Sequence, residues 1–121
     1  MEIEELDLSN IFTIRKFKDF YYNVFSKCFP KDEIGSVDAY LQIKQKENDE
    51  YKYHLSFAKG DWGQYNACFI YCWFPKIKML AAEFACVEEH YRGKGLAKML
   101  MEHAKQQHDF KWMFGEVEED N

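Results

Sequence analysis

The residue types that could do chemistry concentrate in one stretch, Glu83-Phe84-Ala85-Cys86-Val87-Glu88-Glu89-His90-Tyr91-Arg92-Gly93-Lys94-Gly95-Leu96-Ala97. It reads as an apolar strand, a polar loop with two glycines, and the start of an amphipathic helix. That order suits anion binding. The first N–H groups of a helix have no internal acceptor, and the helix dipole adds partial positive charge there. Glycines let a phosphate approach the backbone with no Cβ in the way. A phosphate-bearing ligand is therefore the first functional expectation.

Other reactive side chains are scattered. The cysteines are Cys28, Cys68, Cys72 and Cys86, with no C-x-x-C pair. Cys68 and Cys72 fall on one face of an expected strand, roughly 13 Å apart at ~3.3 Å per residue, too far to bond. The expected state is small buried thiols in a reducing compartment. His54, His90, His103 and His108 make no H-x-x-x-H or H-E-x-x-H pattern, so no metal site is expected.

The elements around the stretch must position it. The chain has 121 residues, enough for one domain over 1–121. Hydrophobic residues make up 47% and aromatic ones 18%, which excludes disorder. A net charge of −5 excludes bulk attraction to nucleic acid or an anionic membrane, so any phosphate site must be local. No apolar run reaches membrane-spanning length, and the acidic residues 1–10 are unlike a signal peptide. The expectation is a cytoplasmic protein.

A first helix is expected from Thr13 to Phe29. Ile14, Phe17, Tyr21, Val24 and Cys28 form its apolar stripe, Phe20, Tyr22 and Phe25 widen it, and Pro30 stops it. Asp32 is read as the N-cap of a second helix, Glu33 to Lys46. Tyr51 to Lys59 alternates as a half-buried strand, Gly60 to Gly63 turns, and Ala67 to Phe74 reads as a strand buried on both faces. Ile77 to Val87 completes a meander. A third helix follows from Gly93 to Gln107, with Leu96, Met99, Leu100, His103, Ala104 and Gln107 inward. Phe110 to Val117 is a fourth strand, which can lie parallel to the third across that helix. The fold class is α+β, a mixed and mostly antiparallel sheet flanked by helices.

At Arg92-Gly93-Lys94-Gly95-Leu96-Ala97 the chain resembles the GCN5-related N-acetyltransferase (GNAT) superfamily. That superfamily's coenzyme A fingerprint is Gln/Arg-x-x-Gly-x-Gly/Ala between a strand and a helix. The context matches too: two helices and a three-strand meander before, a strand after. The resemblance implies acetyl transfer from acetyl-CoA to a primary amine. It assigns the backbone of Arg92, Gly93, Lys94, Gly95, Leu96 and Ala97 to the coenzyme A pyrophosphate, with charge added by Arg92 and Lys94. It assigns the backbone of Cys86, Val87 and Glu88 to the pantetheine arm, which fills a gap where this strand splays from the next. An amide there can also polarise the thioester carbonyl. The acceptor amine must lose a proton, and Glu83 is the candidate base, directly or through water. Strand alternation sets Glu83 on the same face as Val87. A small amine, a peptide N-terminus and a protein lysine all remain open as acceptors.

The family usually continues after the fourth strand with a helix and two strands, opening on a Val-x-x-x-Asn pattern. Val117 to Asn121 fits that pattern, which adds Asn121 to the cofactor-contacting set. The chain then stops, so the expectation is a C-terminally short member lacking those elements and the tyrosine that commonly protonates the leaving thiolate. A fragment, a minimal relative, and a homodimer that covers the edge left by Phe110–Val117 all stay open. So does a non-catalytic acyl-CoA-binding or interaction module of the same fold. A nucleotide-binding domain is disfavoured, because the loop lacks a Gly-Lys-Ser/Thr ending and a meander precedes it.

Overall fold

The apolar run in mid-chain makes the strand to which everything else is attached. Tyr65–Phe74 is β3, and its first eight residues are buried. The computed structural model describes residues 2–115. β2 (Lys52–Lys59) and β4 (Met79–Val87) flank β3, both antiparallel to it. β1 (Glu2–Glu5) lies antiparallel outside β2, and β5 (Trp112–Phe114) lies parallel outside β4. The sheet order is β1-β2-β3-β4-β5, the mixed, mostly antiparallel sheet expected.

β1 lies within the acidic residues 1–10, where no strand was expected. The pairing brings cations to two of its carboxylates. Lys59 lies 3.3 Å from both Glu2 and Glu4, Lys16 lies 3.6 Å from Glu4, and the Tyr65 hydroxyl donates to Glu4 at 2.6 Å.

Helices cover both faces. α1 (Ile11–Phe20) is capped by Asn10, whose side chain accepts from Phe12 N–H. It continues through a π-helical stretch, Tyr21–Phe25, and a last turn, Ser26–Cys28. The wider turn changes the expected stripe. Phe17, Phe20, Tyr21 and Phe25 are buried, Val24 and Cys28 only partly, and Tyr22 is exposed. α2 is shorter than expected, Val37–Gln45, and its N-cap is Ser36, not Asp32. Two tyrosines explain the late start. Tyr21 hydroxyl donates to Gly35 carbonyl at 2.6 Å, and Gly35 N–H donates to Tyr40 hydroxyl at 3.2 Å. The carbonyl is one that a helix beginning at Glu33 would have used, and the N–H would have been one of its unpaired first-turn donors. Lys31–Glu33 forms only a 3₁₀ turn.

α1 and α2 pack Phe17, Phe25 and Tyr40 over Tyr53, Leu55, Phe57, Cys68, Cys72 and Cys86 of the sheet. α3 (Leu96–Gln107) covers the opposite face with Leu96, Ala97, Leu100 and Ala104, against Phe69, Tyr71, Leu80 and Val87. Its face is one position off expectation: Ala97 is buried, His103 is only partly so and Gln107 is exposed. Leu100, fully buried, contributes about 1.5–3 kcal/mol by its burial alone. β5 is shorter than the expected strand. It ends at Gly115, whose φ is +92° and where a Cβ would lie 2.7 Å from the Ala82 carbonyl oxygen. Among the described residues no helix is long and apolar enough to cross a membrane.

Candidate functional site

β4 and the loop after it set the site. β5 pairs with β4 only at Met79, Leu80 and Ala81. From Ala82 to Val87 the outer edge of β4 therefore has no strand partner among the described residues. Peptide groups on such an edge can hydrogen-bond an extended ligand lying where a strand would lie. Cys86, Val87 and Glu88 stand at its end, and Glu88 N–H is taken by the Asn66 carbonyl at 2.8 Å.

The loop then folds in three steps. Glu89–Tyr91 makes one 3₁₀ turn, capped by the Glu88 carboxylate, which accepts from His90 N–H at 3.0 Å and contacts His90 Nδ1 at 2.7 Å. Arg92 is extended. Gly93 and Gly95 then take positive φ, +79° and +72°, where side-chain-bearing residues are strained. α3 starts at Leu96, three residues later than the sequence suggested, with Gly95 as N-cap. Gly95 brings no side-chain cap and the first turn has no acidic residue. No carboxylate of the helix's own first turn therefore competes for these amides.

The two basic side chains of the loop point differently. Arg92 Nε donates to the Val87 carbonyl at 3.1 Å, and its Nη2 lies 4.0 Å from Cys28 Sγ. Lys94 Nζ sits 5.3 Å above the Tyr91 ring. Arg92 therefore occupies one of the backbone groups in the Cys86–Glu88 stretch that the resemblance gives to the pantetheine arm. A cavity of about 300 Å³ opens here between the end of α1 and the loop, with Lys27, Cys28, Val87, Glu88 and Arg92 in its walls. It adjoins a larger one of about 540 Å³ that reaches Phe20, Tyr65 and Tyr91, and the two share Asn23, Val24, Glu88 and His90.

Glu83 is not where strand alternation put it. Ile70 pairs with Phe84 and Tyr71 with Ala82, so Glu83 is the extra residue of a β-bulge. The bulge resets the alternation. Val87, Ala85, Ala82 and Leu80 face α3, whereas Glu83 contacts Tyr53 and Cys72 on the face covered by α1 and α2. Glu83 and Val87 thus lie on opposite faces. Glu83 is exposed, and its carboxylate accepts from the Tyr53 hydroxyl and, at 3.7 Å, from the Cys72 thiol. Burial and the Glu83 carboxylate both push the Tyr53 phenol well above the usual tyrosine range, so it stays a hydrogen-bond donor. Burial likewise raises the Cys72 thiol, to about 12.

The structure therefore groups the candidates in two sets on one strand. Cys86, Val87, Glu88, Arg92, Gly93, Lys94, Gly95, Leu96 and Ala97 line the β4–α3 turn, while Glu83 stands at the bulge with Tyr53 and Cys72. Asn121 lies outside the described residues. Sequence reasoning missed Tyr53, Cys28 and Cys72. The inward alternation of Tyr53, Leu55 and Phe57 was the only signal for Tyr53, and it did not say which β4 side chain lay opposite.

The arrangement was compared with known proteins. A ribosomal-protein-alanine N-acetyltransferase from Brucella melitensis biovar Abortus 2308 superposes with a TM-score of 0.66 at 15% identity, over 98% of this chain and 81% of that one. A glucosamine-6-phosphate N-acetyltransferase from Arabidopsis thaliana gives 0.64 at 15% identity, over 97% and 82%. An aminoglycoside 6'-N-acetyltransferase complexed with coenzyme A gives 0.63 at 15% identity, over 88% of this chain and 54% of that one. At such identities the likeness is one of fold. The comparison with curated proteins returns no match. Residues 18–121 match the Acetyltransferase (GNAT) family, and with most of its length covered by that match the chain belongs to this family.

Proposed function

We propose that this protein transfers an acetyl group from acetyl-CoA to a primary amine. The observation that carries the reading is the turn from β4 to α3. Two left-handed glycines lead into a helix start directly beside a stretch of β4 backbone that has no strand partner among the described residues. Pyrophosphate oxygens match the first and an extended pantetheine arm matches the second. Members of the family use acetyl-CoA, and one structural relative is complexed with coenzyme A.

In this reading the backbone of Arg92 to Ala97 binds the pyrophosphate, and that of Cys86 to Glu88 orients the arm. Arg92 must release the Val87 carbonyl as the arm arrives, which frees its guanidinium to meet phosphate. The acceptor amine attacks the thioester carbonyl while Glu83 takes its proton, directly or through a water. A β4 amide donates to the carbonyl oxygen as negative charge develops there. The Tyr53 hydroxyl holds the Glu83 carboxylate in one orientation. The substrate class is a primary amine, small or peptidic. All four cysteines are free thiols, which suits a reducing cytoplasm where acetyl-CoA is available.

The test is release of free thiol from acetyl-CoA over a panel of small amines and peptides. Amine-dependent release supports transfer. Saturable coenzyme A binding with no release by any amine would make the protein a non-catalytic acyl-CoA-binding module instead.

A further inference from the structure

Three of the four cysteines meet behind the cavity at the end of β4. Cys86 Sγ lies 3.0 Å from Cys28 Sγ, joining the last turn of the first helical segment to β4 across 58 positions of chain. Cys68 is the cross-strand neighbour of Cys86 on β3. Cys28 is partly exposed and lines the cavity with Val87 and Arg92, whereas Cys86 is 4% exposed. The two are therefore unequal: one thiol can be reached from solvent, and the other waits behind it. The Arg92 guanidinium, 4.0 Å from Cys28 Sγ, places positive charge beside the accessible sulfur.

We propose that Cys28 and Cys86 form a redox-responsive dithiol that low-molecular-weight disulfides oxidise, and that the resulting bond closes the acyl-CoA groove. In the first step the Cys28 thiolate attacks one sulfur of a disulfide R–S–S–R. A mixed disulfide forms, and one R–S⁻ leaves and takes a proton. In the second, the Cys86 thiolate attacks the Cys28 sulfur and expels the other R–S⁻, which is protonated in turn. Two protein thiols lose two electrons in all, and one disulfide becomes two R–SH. The bond fixes the Ser26–Cys28 turn against β4 next to Val87. The wall of the cavity beside Val87 is then held in place, and with it the Arg92 side chain that must leave the Val87 carbonyl as the pantetheine arm arrives. The hydrogen bond that the Cys28 thiol shares with Cys86, with burial, holds it well above the usual cysteine range, so exchange accelerates as pH rises.

The effect on binding rests on the proposed acyl-CoA site; the bond itself does not. The test exposes the whole protein to glutathione disulfide, alkylates the remaining thiols, and maps cross-linked peptides by mass spectrometry. The expected product links Cys28 to Cys86 and leaves Cys68 and Cys72 alkylated. It melts at a higher temperature than the reduced protein, because a long loop has been closed. Calorimetry with coenzyme A should give affinity weaker by about tenfold or more for the oxidised form, restored by dithiothreitol. In Cys28→Ser the oxidant should change neither the peptide map at Cys86 nor the coenzyme A titration. A dominant Cys68–Cys86 link, four alkylated cysteines after exposure, or a cross-linked protein that binds coenzyme A as the reduced one does would each overturn the proposal. If the reduced protein binds no coenzyme A, the functional reading fails. The peptide map and the melting shift then still decide whether the dithiol exists.

Discussion

Gly95 gives the sharpest separation between a residue that shapes the fold and one that shapes a ligand site. Its φ is +72°, and among the described residues a Cβ built on it meets no atom within 4 Å beyond its chain neighbours. Gly95→Ala therefore clashes with none of the described residues. The left-handed conformation costs the fold roughly 1–2 kcal/mol, or roughly 3–10 °C in Tm for a domain of this size. Gly63, in the β2–β3 turn, is a matched control, since its φ is +82° and its Cβ also meets open space. Gly63→Ala should lose a similar amount of stability. The two variants part at binding. At Gly95 the new methyl enters the space in front of the α3 amides, where the pyrophosphate is proposed to lie. A hydrogen bond to a charged group is worth about 1.5–3 kcal/mol, so displacing one such contact weakens coenzyme A by roughly 10–150-fold. Thermal melts and calorimetric titrations of both proteins measure the two effects separately. Wild-type affinity in Gly95→Ala, or an equal loss in Gly63→Ala, would refute the placement of the phosphates.

Other perturbations address the rest of the account. Glu83→Gln should leave coenzyme A affinity unchanged while lowering amine-dependent thiol release by about 10²-fold or more; an unchanged rate would remove Glu83 from the base role. Tyr53→Phe, which deletes the donor to that carboxylate, should lower kcat less than Glu83→Gln and leave KM for acetyl-CoA alone, as steady-state kinetics would detect. Burial, followed by the nearby His54, holds His108 below its ordinary value of 6.5. The unfolded chain then binds a proton that the folded one does not, so stability is full above about 6.5 and declines as pH falls from there towards the folded value. His108→Gln should flatten that part of a Tm-against-pH curve, and an unaltered slope would contradict the assignment. The β5 edge exposes Trp112 and Phe114 at 66% and 71%. Self-association through this edge predicts a scattering mass that rises with concentration and falls in Trp112→Lys, and a constant monomer mass would exclude it.

The order of elements could be read because it rests on strong local patterns. The apolar run from Ala67 to Phe74, the alternation of Tyr53, Leu55 and Phe57, and the helical spacing of Leu96, Leu100 and Ala104 each fix one element type. The glycine loop was legible for the same reason, since Gly93 and Gly95 are local requirements of the turn. What failed was set at a distance. β1 depends on lysines from β2 and α1, and the start of α2 on tyrosines that hold Gly35. Period-two counting placed Glu83 beside Val87, but the bulge inserts one residue between them and turns the carboxylate to Tyr53 and Cys72. The Cys28–Cys86 contact joins residues 58 positions apart, beyond any spacing rule.

The central claim is that the β4–α3 turn holds coenzyme A in position for transfer. A calorimetric titration of the reduced protein with acetyl-CoA tests it most directly. The account predicts saturable heat with one site per chain, competed by coenzyme A and much weakened in Gly95→Ala. No binding heat, or binding indifferent to that substitution, would contradict it.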